Sequence, residues 1–173
     1  MDYSDGSHAN GKIISVIRAF IIIAILLFNT QAYAGCYTPA EVEAEQGLRI
    51  SSELMVISLN CQHVAGANGD LYHQYQIFTN RHRDLIMGYE QTMKNYYTRI
   101  GSAHPEKDIH DLRTVLANKI STDAAKMRPN VFCKYYGGRI NQALQMDHVK
   151  LRRWASTIFP SHPVSRSVCV IQQ

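Results

Sequence analysis

Apolar residues along the chain fall into five helical stretches. Thr38-Pro39-Ala40-Glu41 joins an N-cap hydroxyl, a first-turn proline and an N3 glutamate, the elements of a capping box, so a helix is predicted to begin at Pro39. Its spine is Ile50, Leu54, Ile57 and Cys61, flanked by Leu48, Met55 and Leu59, and it should stop near His63, before Ala65-Gly66-Ala67-Asn68-Gly69. Gly47 weakens its middle without ending it. From Asp70, the residues Leu71, Tyr75, Phe78, His82, Leu85, Tyr89, Thr92 and Tyr96 recur at alternating four and three spacing, predicting one long helix with an aromatic seam to about Ile100. Gly101-Ser102-Ala103-His104-Pro105 breaks it. A third helix carries Ile109, Leu112, Leu116, Ile120 and Met127 and meets Pro129. Asn130 to Met146 reads as helix interrupted at Gly137-Gly138. Asp147 caps a short helix through Trp154, and a loop tail follows from about residue 158. Sustained period-two alternation is absent from the sequence. The expected fold is therefore all-α, a single-domain up-and-down bundle of four to five helices stapled by two disulfides.

The first thirty-four residues read differently. Ala19 to Phe28 is an unbroken apolar run, preceded by Lys12 and Arg18 and followed by Asn29-Thr30-Gln31 and Ala32-Tyr33-Ala34. That order is the pattern of a cleaved secretory signal peptide, with cleavage between Ala34 and Gly35. The run falls short of the about 20 apolar residues that span a bilayer, so no transmembrane span is expected in the mature chain. Residues 35–173 then form the helical domain, periplasmic or extracellular. Ala34-Gly35-Cys36 also resembles a lipoprotein site with Cys36 acylated, but Tyr33 stands where such sites want an aliphatic residue, and acylation would leave an odd number of thiols.

Composition alters little. Hydrophobic residues are 46% of the chain, which excludes a disordered or collagen-like protein. The net charge of +4 survives removal of residues 1–34, because Lys12 and Arg18 leave together with Asp2 and Asp5.

All four cysteines, Cys36, Cys61, Cys133 and Cys169, follow the cleavage site, and without a Cys-x-x-Cys they predict two disulfides rather than a redox or zinc site. Helix geometry constrains their pairing. Cys36 and Cys61 flank the first helix, about 37 Å apart at 1.5 Å per residue, far beyond disulfide reach. Helices running up, down and up place Cys61 beside Cys133, leaving Cys36 to join Cys169.

Candidate chemistry is sparse. No two histidines stand three or four apart, so neither a metal site nor a cofactor is expected. His110 and Asp111 are adjacent and cannot face one another on a helix, and with Glu106 and Asp108 this region reads as a solvated helix start. No nucleophile elbow, phosphate-cradling loop or nucleophile-and-base signature is present. A small cell-envelope hydrolase using Glu53, Glu90 or His110 would need the bundle to bring such residues together. Arg81-His82-Arg83 and the set Lys150, Arg152, Arg153 and Trp154 offer cations; the second is a candidate anion-binding face. Tyr97, Tyr135 and Tyr136 are candidates for lining a groove. Export argues against nucleic acid, leaving an envelope protein or an anionic envelope polymer as the expected partner. The leading expectation is an exported helical binding or interaction protein.

Cys36-Tyr37-Thr38-Pro39-Ala40-Glu41, continuing Ala44-Glu45-Gln46-Gly47-Leu48-Arg49-Ile50 and Glu53-Leu54-Met55-Val56-Ile57, then Cys61-Gln62, resembles a group of uncharacterised small exported disulfide-bonded helical proteins of Gram-negative bacteria. Met127-Arg128-Pro129 with Phe132-Cys133 fits the same resemblance. It implies export, disulfides and a helical fold, and it carries over no catalytic residue.

Overall fold

A computed structural model describes residues 35–64 and 69–169; the predicted signal segment, including Ala34, lies outside the described residues. Helix α1, Pro39–Cys61, starts where its capping box places it. The Thr38 hydroxyl accepts from the Glu41 amide at 3.3 Å, and the Glu41 carboxylate accepts from the Thr38 amide at 2.8 Å. The remaining helices are α2 (Leu71–Arg81), α3 (Arg83–Arg99), α4 (Pro105–Lys126), α5 (Pro129–Tyr136), α6 (Gly138–Leu144) and α7 (His148–Ala155). All six pack against α1, which is buried around almost its whole circumference.

The five predicted stretches are all helical, but two of them are divided. The long helix from Asp70 opens at His82, with φ −106° and ψ 15°, into α2 and α3. The seam itself continues: Leu71, Phe78, His82, Tyr89 and Tyr96 are buried on both sides of the break. The stretch after Pro129 divides at Gly137, where a Cβ would lie 2.6 Å from the Cys133 carbonyl oxygen and 3.1 Å from Leu71 Cδ1. At the end of α3, Gly101 adopts φ +83°, and the amides of Gly101 and Ser102 bond the carbonyls of Thr98 and Tyr97, a Schellman closure that satisfies the last turn. Asp70 and Asp147 cap α2 and α7 through the amides of His73 and Lys150.

The core is built on Leu48, Ile50, Leu54 and Ile57 of α1 against Phe78, Met93, Tyr96, Phe132, Ile140 and Leu151. Gly47 sits in the middle of α1 because the Tyr89 ring lies where a Cβ would project. Tyr89 also donates its hydroxyl to Glu43 at 3.1 Å, which fixes the ring. Gly47→Ala would gain about 1 kcal/mol of helix propensity in an exposed helix. Here the overlap dominates, and the substitution is expected to destabilise the fold by about 1–3 kcal/mol, read as a lower urea midpoint.

Disulfides join Cys36 to Cys169 and Cys61 to Cys133. The second ties the end of α1 to α5. The first anchors the tail, which runs beside the segment entering α1: the Tyr37 amide bonds the Ser167 carbonyl and the Cys169 amide bonds the Tyr37 carbonyl, both at 2.8 Å. Among the described residues, only isolated bridges of this kind occur, with no strand. No described helix is long and apolar enough to cross a membrane.

Candidate functional site

A helix buried all round is ordinarily apolar all round. Helix α1 departs from this, because Glu41, Glu45, Arg49 and Glu53, spaced by four, form one charged stripe that is nevertheless buried. Each buried polar group then needs a partner, and the tail together with α3 and α6 supplies most of them. Arg99 of α3 clasps both oxygens of Glu41 at 2.8 and 2.9 Å. Glu45 accepts from the amide of Ser165 at 2.7 Å and from its hydroxyl. Tyr37 donates to that same hydroxyl oxygen at 3.0 Å; burial pushes the Tyr37 phenol far up, so it stays protonated and a donor. Beside the stripe, Gln46 donates to the His162 carbonyl at 2.9 Å.

At the Glu53 end, residues of α1, α4, α5, α6 and the tail line a cleft of 200 Å³. Glu53 forms its floor, with the side chain only 6% exposed. One carboxylate oxygen accepts from Arg49 at 3.1 Å and lies 3.4 Å from His162 Nε2; the other accepts from Arg139 of α6 at 3.3 Å. Arg139 stacks over Tyr136 at 4.7 Å, and Tyr136 donates to Asp123 at 2.8 Å. Burial and then the Asp123 hydrogen bond push the Tyr136 phenol up to about 12. Lys119 of α4 donates to the Ser161 carbonyl, and the Ser161 hydroxyl lies 2.8 Å from His162 Nδ1. The His162 pKa is lowered, first by burial and then by Arg49, Lys119 and Arg139, against the opposing pull of Glu53. The imidazole at neutral pH is therefore uncharged and able to accept a proton.

The structure separates the carboxylates that the sequence singled out. Glu90 and His110 line the same open groove of 290 Å³ between α3 and α4. There Arg113 pairs with Glu90 and Lys94 pairs with Glu106, so the groove presents closed ion pairs. Glu53 and Glu90 line different depressions and do not face each other as a pair of glycosidase carboxylates would. On α7, Lys150 and Arg153 are exposed, Arg152 is engaged by both oxygens of Glu43 at 2.8 and 3.3 Å, and Trp154 packs against the core. Tyr135 is exposed and meets Tyr136 edge to face, whereas Tyr97 is half-buried beside Tyr96. Among the described residues, no group of three or more His, Cys, Asp or Glu side chains is placed to hold a metal.

His82, at the α2–α3 break, is fully buried between the rings of Phe78 and His148, each 4.9 Å away. Burial lowers its pKa, with His148 and Arg81 adding to the effect and the Met146 backbone and Asp147 opposing it. The unfolded chain therefore takes up this proton first as pH falls. Stability from this site is complete above about pH 6.5, the ordinary imidazole value, and declines as pH drops toward the lower folded-state value. His82→Leu is expected to flatten the fall in urea midpoint between about pH 7.5 and pH 5.5. The flattening is partial, because His162 shifts in the same direction.

The polar cleft residues that sequence reasoning missed are Lys119, Asp123, Arg139, Ser161 and His162. Their signal was the four-residue spacing of charges on α1, a pattern that on most helices marks a solvated face. No family model matches the chain, nor does any curated protein or solved structure.

Proposed function

We propose that this chain is an exported helical binding protein, periplasmic or secreted, that holds an anionic segment of an envelope polymer in the cleft at Glu53. The scaffold in this reading is a single-domain up-and-down bundle of residues 35–173, freed from a signal peptide at Ala34-Gly35. Two disulfides suit an oxidising compartment. The resemblance of the segment from Cys36 to Gln62 to small exported proteins supports the same location.

The observation that carries the reading is the crosslinked tail, which lies along a buried charged stripe and brings Ser161 and His162 to a cleft that also holds Lys119 and Arg139. Lys119, Arg139 and the Ser161 hydroxyl, on a tail held by a covalent staple, suit recognition of a carboxylate or phosphate group, because the two carboxylates of the lining are engaged, Glu53 by Arg49 and Arg139 and Asp123 by Tyr136. Lys150 and Arg153 on α7 offer a second, weaker electrostatic contribution.

Titration of the oxidised, isotope-labelled protein with soluble anionic envelope glycopeptide tests this. Amide shifts concentrated at Lys119, Arg139, Ser161 and His162, weakened by added salt and removed by Lys119→Glu, are expected. An unchanged spectrum at millimolar glycopeptide, or shifts confined to α7, would overturn the assignment of the cleft.

A further inference from the structure

Beyond binding, the cleft holds a chain of groups whose order is that of an activated nucleophile. Ser161 Oγ is 2.8 Å from His162 Nδ1, and the opposite ring nitrogen, Nε2, is 3.4 Å from Glu53 Oε1. A carboxylate facing Nε2 favours the proton on that nitrogen, which leaves the Nδ1 lone pair directed at the serine hydroxyl. The 3.4 Å separation is long for a hydrogen bond, as base-to-orienter distances often are before substrate binds.

The peptide segment is held for this arrangement. Phe159-Pro160-Ser161-His162 forms a tight turn closed by the His162 amide on the Phe159 carbonyl at 2.8 Å, with Pro160 at the position that favours it. Pro163 restricts the backbone of His162 from the other side. The carbonyls of both residues are pinned from separate helices, Ser161 by Lys119 and His162 by Gln46. Ser161 is exposed to solvent, and Lys119 and Arg139 line the same cleft, where an oxyanion would form.

We propose that Ser161 is a nucleophile for short-chain carboxylic esters, with His162 as its general base and Glu53 as the residue that orients the imidazole. The cleft, at 200 Å³, is smaller than the about 300 Å³ at which drug-sized sites begin, which limits the acyl group to a short one. In the first step Ser161 Oγ bonds to the ester carbonyl carbon while its proton passes to His162 Nδ1. The bond to the alcohol oxygen then breaks, and the alcohol leaves with that proton. Water attacks the acyl-serine, gives a proton to His162, and the bond from Oγ to carbon breaks as Ser161 recovers its hydrogen. Ester and water become acid and alcohol. Lys119 and Arg139 supply positive charge to the oxyanion in both steps.

The test uses the oxidised full chain with a fluorescent fluorophosphonate, which forms an Oγ–phosphorus bond as fluoride leaves, followed by peptide mass spectrometry and by hydrolysis of p-nitrophenyl acetate. A single adduct on Ser161 is expected, abolished by Ser161→Ala, a change at an exposed position whose fold is checked by circular dichroism. His162→Gln should slow both labelling and hydrolysis by about 100-fold or more. The rate should fall at acid pH with a midpoint below that of a free imidazole, which a purely structural histidine would not impose. Absence of an adduct at Ser161 in the folded protein, or equal hydrolysis by the Ser161→Ala variant, overturns the proposal. Because the glycopeptide titration needs no ester, a failed label with intact binding removes the nucleophile alone, and a labelled serine with no glycopeptide shifts removes the binding reading alone.

Discussion

Replacing Cys36 and Cys169 together by serine is expected to lower stability by about 3–5 kcal/mol, the upper figure following from loop-closure entropy for so long a loop. This bridge closes a loop of sequence separation 133, against 72 for Cys61–Cys133, so its removal releases more chain in the unfolded state. The native-state consequences are local to the tail. The two backbone bonds at Tyr37, the Ser165 contacts to Glu45 and Tyr37, the Gln46 bond to His162 and the approach of His162 to Glu53 would then be left to hold residues 157–169 against α1 and the segment entering it. Hydrogen exchange should therefore accelerate across the tail while α1, α3 and α4 keep their protection, and the urea midpoint should fall in the oxidised protein but not in a fully reduced control. Unchanged tail exchange in the double variant would show that the buried stripe alone retains the tail.

The helices were legible where local chemistry decides them. Thr38 and Glu41 satisfy one another's orphan amides without help from the rest of the chain, and α1 begins at Pro39 accordingly. The seam from Leu71 to Tyr96 was equally visible, since its period marks burial whatever the backbone does between turns. The break at His82 was not. The His82 amide still bonds the Phe78 carbonyl and the Ile86 amide bonds the His82 carbonyl, both at 3.0 Å, so the ladder opens by about one residue and leaves the hydrophobic pattern intact. Gly47 read as a propensity defect; it is a packing requirement set by Tyr89, a residue more than forty positions away in the chain.

The cleft was legible only in half. Glu53 stood out as a carboxylate, but its environment is made by Arg139 and His162, from a glycine-broken stretch and a proline-rich loop that have no periodicity to read. Whether the stripe of four-spaced charges on α1 is wet or buried depends on where a tail more than a hundred residues away comes to lie. Tertiary placement, rather than any local preference, turned a polar face into a site.

That burial makes Glu53→Ala the substitution of largest expected effect on the helical core. Arg49 would remain inside, its side chain 7% exposed, having lost its bond to Glu53; among the described residues its Nε and Nη2 atoms already lack partners. Removing one member of a buried ion pair costs about 3–5 kcal/mol, chiefly through the uncompensated charge left behind. Arg139 adds little to this loss, since its side chain is 34% exposed and can turn toward water. The complementary variant separates the causes: Arg49→Met with Glu53→Leu removes both charges, and well-packed apolar replacements of a buried pair are often neutral or stabilising. The double variant should therefore recover most of the urea midpoint lost by Glu53→Ala, while failing to orient His162 and so losing esterase activity at Ser161. Equal destabilisation of the single and double variants would mean that the carboxylate contributes through its contacts to Arg139 and His162 rather than by neutralising Arg49.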